Sequence, residues 1–589
     1  MEPTCPFDVL NESTQPLGQS ALLHELGRWK LLPPGTPGEP EIAADVLGLR
    51  LVGGIESNPW GTYYGPFASG TRADGSEFTS PAKGDLTPDL VSIWAARARG
   101  AKHPFLSHRY ADLVWDLSKM LAATRPDIEF ARLAIDGVLQ TLATDGVEHE
   151  VEGYKIAERA IDLSKSIRDA DRVRSAEEAL AEYERKHAID NKSGTWGRAF
   201  DALVLERSSL DAPAKQRLLA DMEAGLDRVS DISKPESFDP FGAEAAALRL
   251  ASFYRRENRL DDVRRVLLKF RDAFVAAAKL ATGMIAYAWI DRVHAQLNDQ
   301  GLPKDANALE PLLREHGKRS MGEMKGVGVS FTIPREDIEA AYSALTSGSA
   351  EDALLAFADA FLPRKDDIEA QLRDLAERAP LLSRISIKKT DDQGRNVVSI
   401  GSVESDLDGR VIHEVSEHMT TSAPLVRALL SKATTGLPLT VELLMTQVRA
   451  SPIFAEERYA IIEQGLRSLL DGQHLAAVHI LIPQIEAGIR RLAELISVPT
   501  QRRNKQGGVD FRMLDELLRD VAPVLGEDQS LYLRVLLSDR RGWNLRNEVC
   551  HGLLLAGAFG PTMSDRVLHV FLLLGALRPA PSTDARSGE

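Results

Sequence analysis

Residues 473–498, QHLAAVHILIPQIEAGIRRLAELISV, place Leu475, Val478, Ile482, Ile485, Ile489, Leu492 and Ile496 at alternating intervals of three and four. That alternation keeps every apolar side chain on one face of a helix, giving a continuous seam of the coiled-coil or bundle type. Such a seam has to be covered by other helices. Pro483 inside it predicts a kink, because its ring removes a backbone donor and clashes with the preceding turn. The following sequence predicts helices near Met513–Val521 and Ser530–Ser538, a third starting at about Leu545, and a last one from Met563 to Leu577. Thr562 with Asp565 reads as a capping-box-like start for that last helix. Helices joined by short loops make a bundle, expected over residues 431–578.

Upstream, the character changes more than once. Residues 1–125 begin rich in Pro, Gly, Ser and Thr (LLPPGTPGEP, GTYYGPFASGTRADG), which reads as loops and short elements. They end in FLSHRYADLVWDLSKMLAA, an amphipathic helix by its spacing of Leu106, Ala111, Val114, Trp115, Leu117 and Leu121. Residues 126–380 are a succession of helical segments with short polar breaks, suggesting stacked hairpins in a solenoid-like array. Leu248 to Phe270 resembles a tetratricopeptide unit, although no fixed period repeats. Residues 381–430 are expected to be a linker built on a β-hairpin near 383–413, where SRISIKKTDDQGRNVVSIGSV turns β-rich around Asp-Gln-Gly. Residues 579–589 read as a disordered tail. The fold class is therefore all-α: a helical body, one small hairpin, and a C-terminal bundle.

The formal charge of -15, from 71 Lys+Arg and 86 Asp+Glu, argues against nucleic-acid binding if it is evenly spread. It is not. From Lys432 onward there are 18 basic and 18 acidic residues, so the 53 basic and 68 acidic residues of 1–431 carry the whole excess. Between Arg490 and Arg546 the balance is 11 basic to 8 acidic, concentrated in QRRNKQGG and DRRGWNLR. The two cysteines, Cys5 and Cys550, exclude a disulfide framework or a cysteine-rich zinc site. The N-terminus lacks the basic and apolar regions of a signal peptide, and the apolar run Val567–Leu577 is too short to span a bilayer. A reduced, cytoplasmic protein without a membrane partner is the expectation.

The chemistry-bearing stretch is RRGWNLRNEVCHGLLLAG. Gly542 is expected to stop one helix and Asn544 to cap the next. Arg546 and Asn547 then fall in a first turn, where free N–H groups and the dipole favour an anion. Asn547 and His551, four apart, face the same way; Arg546 and His551, five apart, are separated by roughly 140° around the axis. The two therefore meet only if the long Arg side chain wraps or a second chain closes the site. Guanidinium, amide and imidazole together suit a phosphodiester.

The run Arg546, Asn547, Glu548, Val549, Cys550, His551, Gly552 (R-N-x-x-x-H-G) resembles the signature of a family of C-terminal helical domains. That family is in turn similar to the HEPN superfamily (higher eukaryotes and prokaryotes nucleotide-binding), whose motif is Arg, four to six residues, His. The upstream helix with Pro483, Gln484, Glu486 and Arg490 also resembles the family's long helix, so the likeness covers about residues 440–577. HPFLSHRYADLVWDL is similar to a segment in the N-terminal regions of such proteins. The resemblance implies a metal-independent endoribonuclease without cofactors, working as a homodimer with a composite site. In it, His551 would move a proton at the ribose 2′-OH or the leaving 5′-oxygen, a task suited to imidazole. Arg546 would bind the scissile phosphate, and Asn547 would orient His551 or the phosphate. A place in bacterial antiphage defence, or as a toxin, follows by association only. The helical body would scaffold, sense or restrain, and offer a surface to a regulatory protein partner.

Blander readings stand beside these. Some members of the superfamily only bind RNA or nucleotides, and a helical scaffold dimerising through its bundle is a further alternative. Arg546 would then simply pair with Glu548 or a neighbouring carboxylate. Arg502, Arg503, Lys505, Arg540 and Arg541 are candidate RNA contacts, the first three equally readable as a solvated basic loop. Glu486, Arg490 and Asn544 are candidate supports for the motif, the first two equally readable as a surface ion pair. HEVSEH (His413–His418) misses the H-E-x-x-H spacing by one residue, and His474 with His479 reads as bundle surface, so no metal is expected. MGEMKGVGVSF lacks P-loop order, and no Ser-His-Asp arrangement stands out.

Overall fold

The computed structural model describes residues 5–27, 29, 38–55, 58–72, 76–325, 332–391, 394–436 and 439–579. Ala580–Glu589, all but the first residue of the segment read as a tail, lies outside them, as do Gly326 and Gly328 of the glycine-rich stretch and Gln393 of the hairpin turn. The described chain is all-α in class, with strands only in two-stranded antiparallel sheets. None of its helices is long and apolar enough to cross a membrane. It divides into two compact units, Met1–His316 and Gly317–Glu589, the division falling within the helix Glu310–Glu323.

The first unit shows how a polar-looking helix becomes a core. Its helices include α1 (Glu39–Arg50), α2 (Pro104–Ala122) and α3 (Glu150–Ser166). His103 caps α2 by accepting from the Phe105 N–H at 3.2 Å, and Pro104 takes the first position, where no N–H is needed. The Arg109 guanidinium is buried against the last carbonyls of α1, donating to Gly48 at 3.3 Å and to Leu51, so a cation meets the negative helix end. Asp112 forms a two-point pair with Arg159 of α3 at 2.7 and 3.0 Å. Asp116 accepts the backbone N–H groups of Tyr63 and Tyr64 at 3.1 and 2.9 Å. Burial holds the His108 imidazole neutral, its pKa pushed down to about 3. The charged letters of HPFLSHRYADLVWDL are thus explained by the fold of this unit.

The loop-rich reading of the early part of residues 1–125 missed α1, which buries Ile42, Ala44, Val46, Leu47 and Leu49. The Pro-Gly run before it hid the signal, yet that run supplies the start: Gly38 in the left-handed region (φ 79°) and Pro40 in the first turn.

The second unit contains strands β1 (Ile387–Thr390) and β2 (Asn396–Ile400), then helices α4 (Leu407–Gly436) and α5 (His474–Leu495). Strands β3 (Gln501–Arg503) and β4 (Val509–Phe511) follow, then α6 (Glu527–Leu537), α7 (Leu545–Cys550) and α8 (Pro561–Gly575). The seam on α5 is buried at Val478, Ile482, Ile485, Ile489 and Leu492, whereas Leu475 is 47% exposed, and the helix continues through Pro483. Every residue from Ser564 to Gly575 of α8 is buried, because the helices Ala350–Ala360 and Val441–Ala450 join α4 and α5 around it. A helix covered on all sides needs no polar face.

Three expectations need correction. The hairpin β1–β2 forms, but the remainder of the expected linker is α4, thirty residues long with Val411, Ile412, Val415, Met419, Val426 and Leu429 buried. Its intervening Thr-Thr-Ser-Ala-Pro run, with Pro424 inside the helix, masked the periodicity. QRRNKQGG is not a loop throughout: it supplies β3 and the turn of a second antiparallel hairpin of this unit, closed by β4. The cap of α8 is Gly560, followed by Pro561, so Thr562 sits inside the first turn. Asp565 instead turns inward to Arg427 at 3.3 Å.

Burial raises the Asp565 carboxyl to about 6, only partly opposed by Arg427. The folded chain therefore holds this proton more tightly than the unfolded chain does. Stability from this group is full below the ordinary value of 3.8 and is lost as pH rises from there to about 6. Asp565→Asn is expected to unfold at a higher temperature than wild type at pH 7.5, by the equivalent of about 2 kcal/mol. The gap should close at pH 4; a constant gap across that range would contradict the assignment.

Candidate active site

The motif helix α7 is set by a turn that permits no side chain at its centre. After α6 ends, the Trp543 N–H returns to the Val535 carbonyl at 2.8 Å. A Cβ on Gly542 would lie 2.3 Å from that same carbonyl oxygen. Two neighbours clamp the turn: Lys389 of β1 donates to the Gly542 carbonyl, and Arg541 pairs with Asp539 at 2.9 Å and with Asp408 of α4 at 2.9 Å. Burial lowers the Lys389 pKa against the pull of Glu548, Asp539 and Glu417. The first hairpin and α4 therefore belong to the scaffold of the motif.

Asn544 occupies the cap position of α7 in the left-handed region (φ 52°), with no hydrogen bond from its side chain to the helix N–H groups. It works as a junction instead. Its Nδ2 donates to Glu548 Oε1 at 3.0 Å, and its Oδ1 accepts from Asn547 Nδ2 at 2.6 Å. Asn547 Oδ1 accepts from Arg546 Nη1 at 3.0 Å, and Arg546 Nε donates to Glu486 Oε2 of α5 at 2.7 Å. Glu486 Oε1 accepts from Arg490 at 2.7 Å. Burial pushes the Glu486 carboxyl up, but the hydrogen bonds from Arg490 and Arg546 outweigh it and hold the carboxyl below its usual value. Arg546 thus pairs with Glu486, sixty residues upstream, and not with Glu548.

His551 closes α7 and is exposed, and among the described residues no hydrogen bond or ion pair engages its ring. Gly552 follows at φ 67°. The Leu553 N–H reaches the Glu548 carbonyl at 2.9 Å and the Gly552 N–H that of Val549 at 3.1 Å, a Schellman stop. The glycine of the motif therefore ends the helix. No hydrogen bond joins Arg546 to His551 among the described residues; the chain brings Arg546, Asn547, Asn544, Glu486 and Arg490 together and leaves His551 apart.

Of the basic candidates, Arg541 is engaged as described and Arg502 pairs with Glu516 at 3.2 Å, whereas Arg503, Lys505 and Arg540 are exposed. Sequence reasoning missed Lys389 and Asp408, which precede the motif by more than a hundred residues. It also missed Phe511, whose ring lies 5.1 Å from the Arg490 guanidinium. The alternation of Val509, Phe511 and Met513 was the available signal.

The other candidates have local explanations. His474 Nδ1 sits 2.8 Å from the buried Ser564 hydroxyl, and the His479 ring lies against Phe559 at 4.9 Å. Among the described residues no group of three or more His, Cys, Asp or Glu side chains is arranged to hold a metal ion. A cavity of about 240 Å³ in the first unit is lined by Trp196, Phe200 and Met222. Its rim residues are already occupied: Arg228 pairs with Asp190 at 2.7 Å, and Glu184 accepts the Gly197 and Ala199 N–H groups at 2.9 and 2.8 Å.

A family model described as a domain of unknown function (DUF7380) matches residues 65–176, which lie in the first unit and include α2 but none of the motif residues. No curated protein and no solved structure matches the chain.

Proposed function

We propose that the chain is a metal-independent, HEPN-type endoribonuclease that uses Arg546, Asn547 and His551. The observation that supports this reading best is the division of labour on α7. A guanidinium is held by a carboxylate and an amide at the start of the helix, while an exposed, uncommitted imidazole stands at its end. His551 takes the proton from a ribose 2′-OH, the 2′-oxygen attacks phosphorus, and the bond to the 5′-oxygen breaks. That oxygen is reprotonated, leaving a 2′,3′-cyclic phosphate and a 5′-hydroxyl. Arg546 binds the phosphate and stabilises the charge that builds on it. Since His551 stands apart from Arg546 within one chain, the reading includes a homodimer in which two motif helices complete each other. RNA is the partner, and a role in antiphage defence or as a toxin rests on association with the superfamily alone.

A second reading has its own support. Because Glu486 and Asn547 already engage Arg546, a silent module that binds RNA or nucleotides is the chief rival, with a dimerising scaffold behind it. Incubating the full chain with RNA in EDTA separates them. Cleavage with cyclic-phosphate ends, abolished on dilution to monomer, is the expected result. RNA binding without cleavage under any condition supports the silent module. Neither binding nor cleavage, with dimers intact, supports the scaffold.

A further inference from the structure

The hairpin β3–β4 is exposed along both strands. Its register pairs Gln501 with Phe511, Arg502 with Asp510 and Arg503 with Val509. Residues directly opposite in an antiparallel pair share a face, so the hairpin has two different sides. Arg502 and Asp510 occupy one side, where Arg502 pairs with Glu516 at 3.2 Å and Asp510 accepts from Asn504 at 3.1 Å. The other side carries Gln501, Arg503, Val509 and Phe511, without a carboxylate. Val509 is 60% exposed and Phe511 65%, and among the described residues nothing hydrogen-bonds or ion-pairs the side chains of Arg503 and Lys505.

This side continues into the candidate site. The Arg490 guanidinium sits over the Phe511 ring at 5.1 Å, and Arg490 and Arg546 share the single carboxylate of Glu486. Two cations against one anion leave the trio with excess positive charge. Residues 499–512 add Arg502, Arg503, Lys505 and Arg512 against Asp510. Arg502 pairs with Glu516 at 3.2 Å and Arg512 with Asp520 at 2.7 Å, which leaves Arg503 and Lys505 as the cations without a carboxylate partner among the described residues. Exposed cations interleaved with an exposed aromatic ring match a strand with phosphates outside and bases free to stack. A duplex keeps its bases stacked internally and cannot offer one to Phe511.

We propose that this side of the hairpin is a platform for single-stranded RNA: one base stacks on Phe511 while Arg503 and Lys505 hold flanking phosphates, leading the strand to the motif helix. The proposal rests on the ribonuclease reading above and extends it to the form of RNA taken.

The test uses the full chain carrying His551→Ala, so that RNA stays intact, and follows fluorescence anisotropy of a short labelled single-stranded oligoribonucleotide and of its duplex. Adding Phe511→Ala should weaken single-strand binding about tenfold. Arg503→Glu should weaken it further and flatten the salt dependence by about one ion. Phe511→Tyr, which keeps the ring, should retain binding and controls for folding together with the melting curve. Duplex binding should be weaker and indifferent to Phe511→Ala. Undiminished single-strand affinity in both variants overturns the platform while the ribonuclease reading stands on wild-type cleavage. A changed oligomeric mass with unchanged RNA affinity makes the surface a protein interface and also overturns it. A wild-type chain that neither binds nor cuts RNA removes the ribonuclease reading and the platform together.

Discussion

His551→Ala should slow RNA cleavage by about a hundredfold to ten-thousandfold, the usual worth of a positioned proton-transfer group, without moving the melting temperature. The second half is what makes the experiment informative. The ring is exposed and engages nothing among the described residues, and such surface replacements change stability by about 0.5 kcal/mol or less. Arg546→Ala should slow cleavage to a similar degree but also lower stability by about 1 kcal/mol, since Glu486 loses one of its two guanidinium partners while partly buried. Arg546→Lys should recover stability better than turnover, because an ammonium restores the charge but not the planar fork that reaches carboxylate, amide and phosphate. Wild-type cleavage rates in His551→Ala would remove the imidazole from the reaction and with it the proposed mechanism on α7.

The parts of this arrangement that the sequence reveals are those with a local signature. The α5 seam is legible because helical periodicity survives in one dimension, whereas the R-N-x-x-x-H-G run stands out through its resemblance to a family signature and not through its spacing. What the sequence hides is the division of roles within that run. Gly552 is a backbone stop, Asn544 is a left-handed junction, and the partner of Arg546 is a carboxylate on another helix. The sequence offers Glu486 as a support for the motif, but nothing in a one-dimensional pattern pairs it with Arg546, or Lys389 with Gly542, because those pairings arise only when α5 and β1 are laid against the turn. The helices α1 and α4 were obscured differently, by proline, glycine and threonine runs whose local preferences are overridden by burial of the following apolar face. The loops around α7 thus owe their conformation to tertiary contacts, while the core helices owe theirs to pattern.

Two glycines, one on either side of α7, separate steric from conformational effects. A Cβ at Gly542 meets the Val535 carbonyl oxygen at 2.3 Å, and backbone cannot swing aside as a side-chain tip would. Gly542→Ala should therefore destabilise the second unit by about 3 kcal/mol or more, as overpacking against fixed structure does, and should also impair cleavage by displacing Asn544 and with it Arg546. At Gly552 the added Cβ has nothing within 4 Å, so the only obstacle is its left-handed backbone at φ 67°. Gly552→Ala should cost about 1 kcal/mol, and Gly552→Asn less, because asparagine tolerates that region. Urea or thermal unfolding of the three variants in the full chain reads these differences directly. Equal losses at both positions, or a larger loss at Gly552, would mean that the motif turn yields where the close approach of Gly542 to Val535 says it cannot. The ordering Gly542→Ala, Gly552→Ala, Gly552→Asn, from most to least damaging, would place the stiffness that holds Arg546 on the N-terminal side of α7 and leave His551 on the side free to adjust to a bound phosphate.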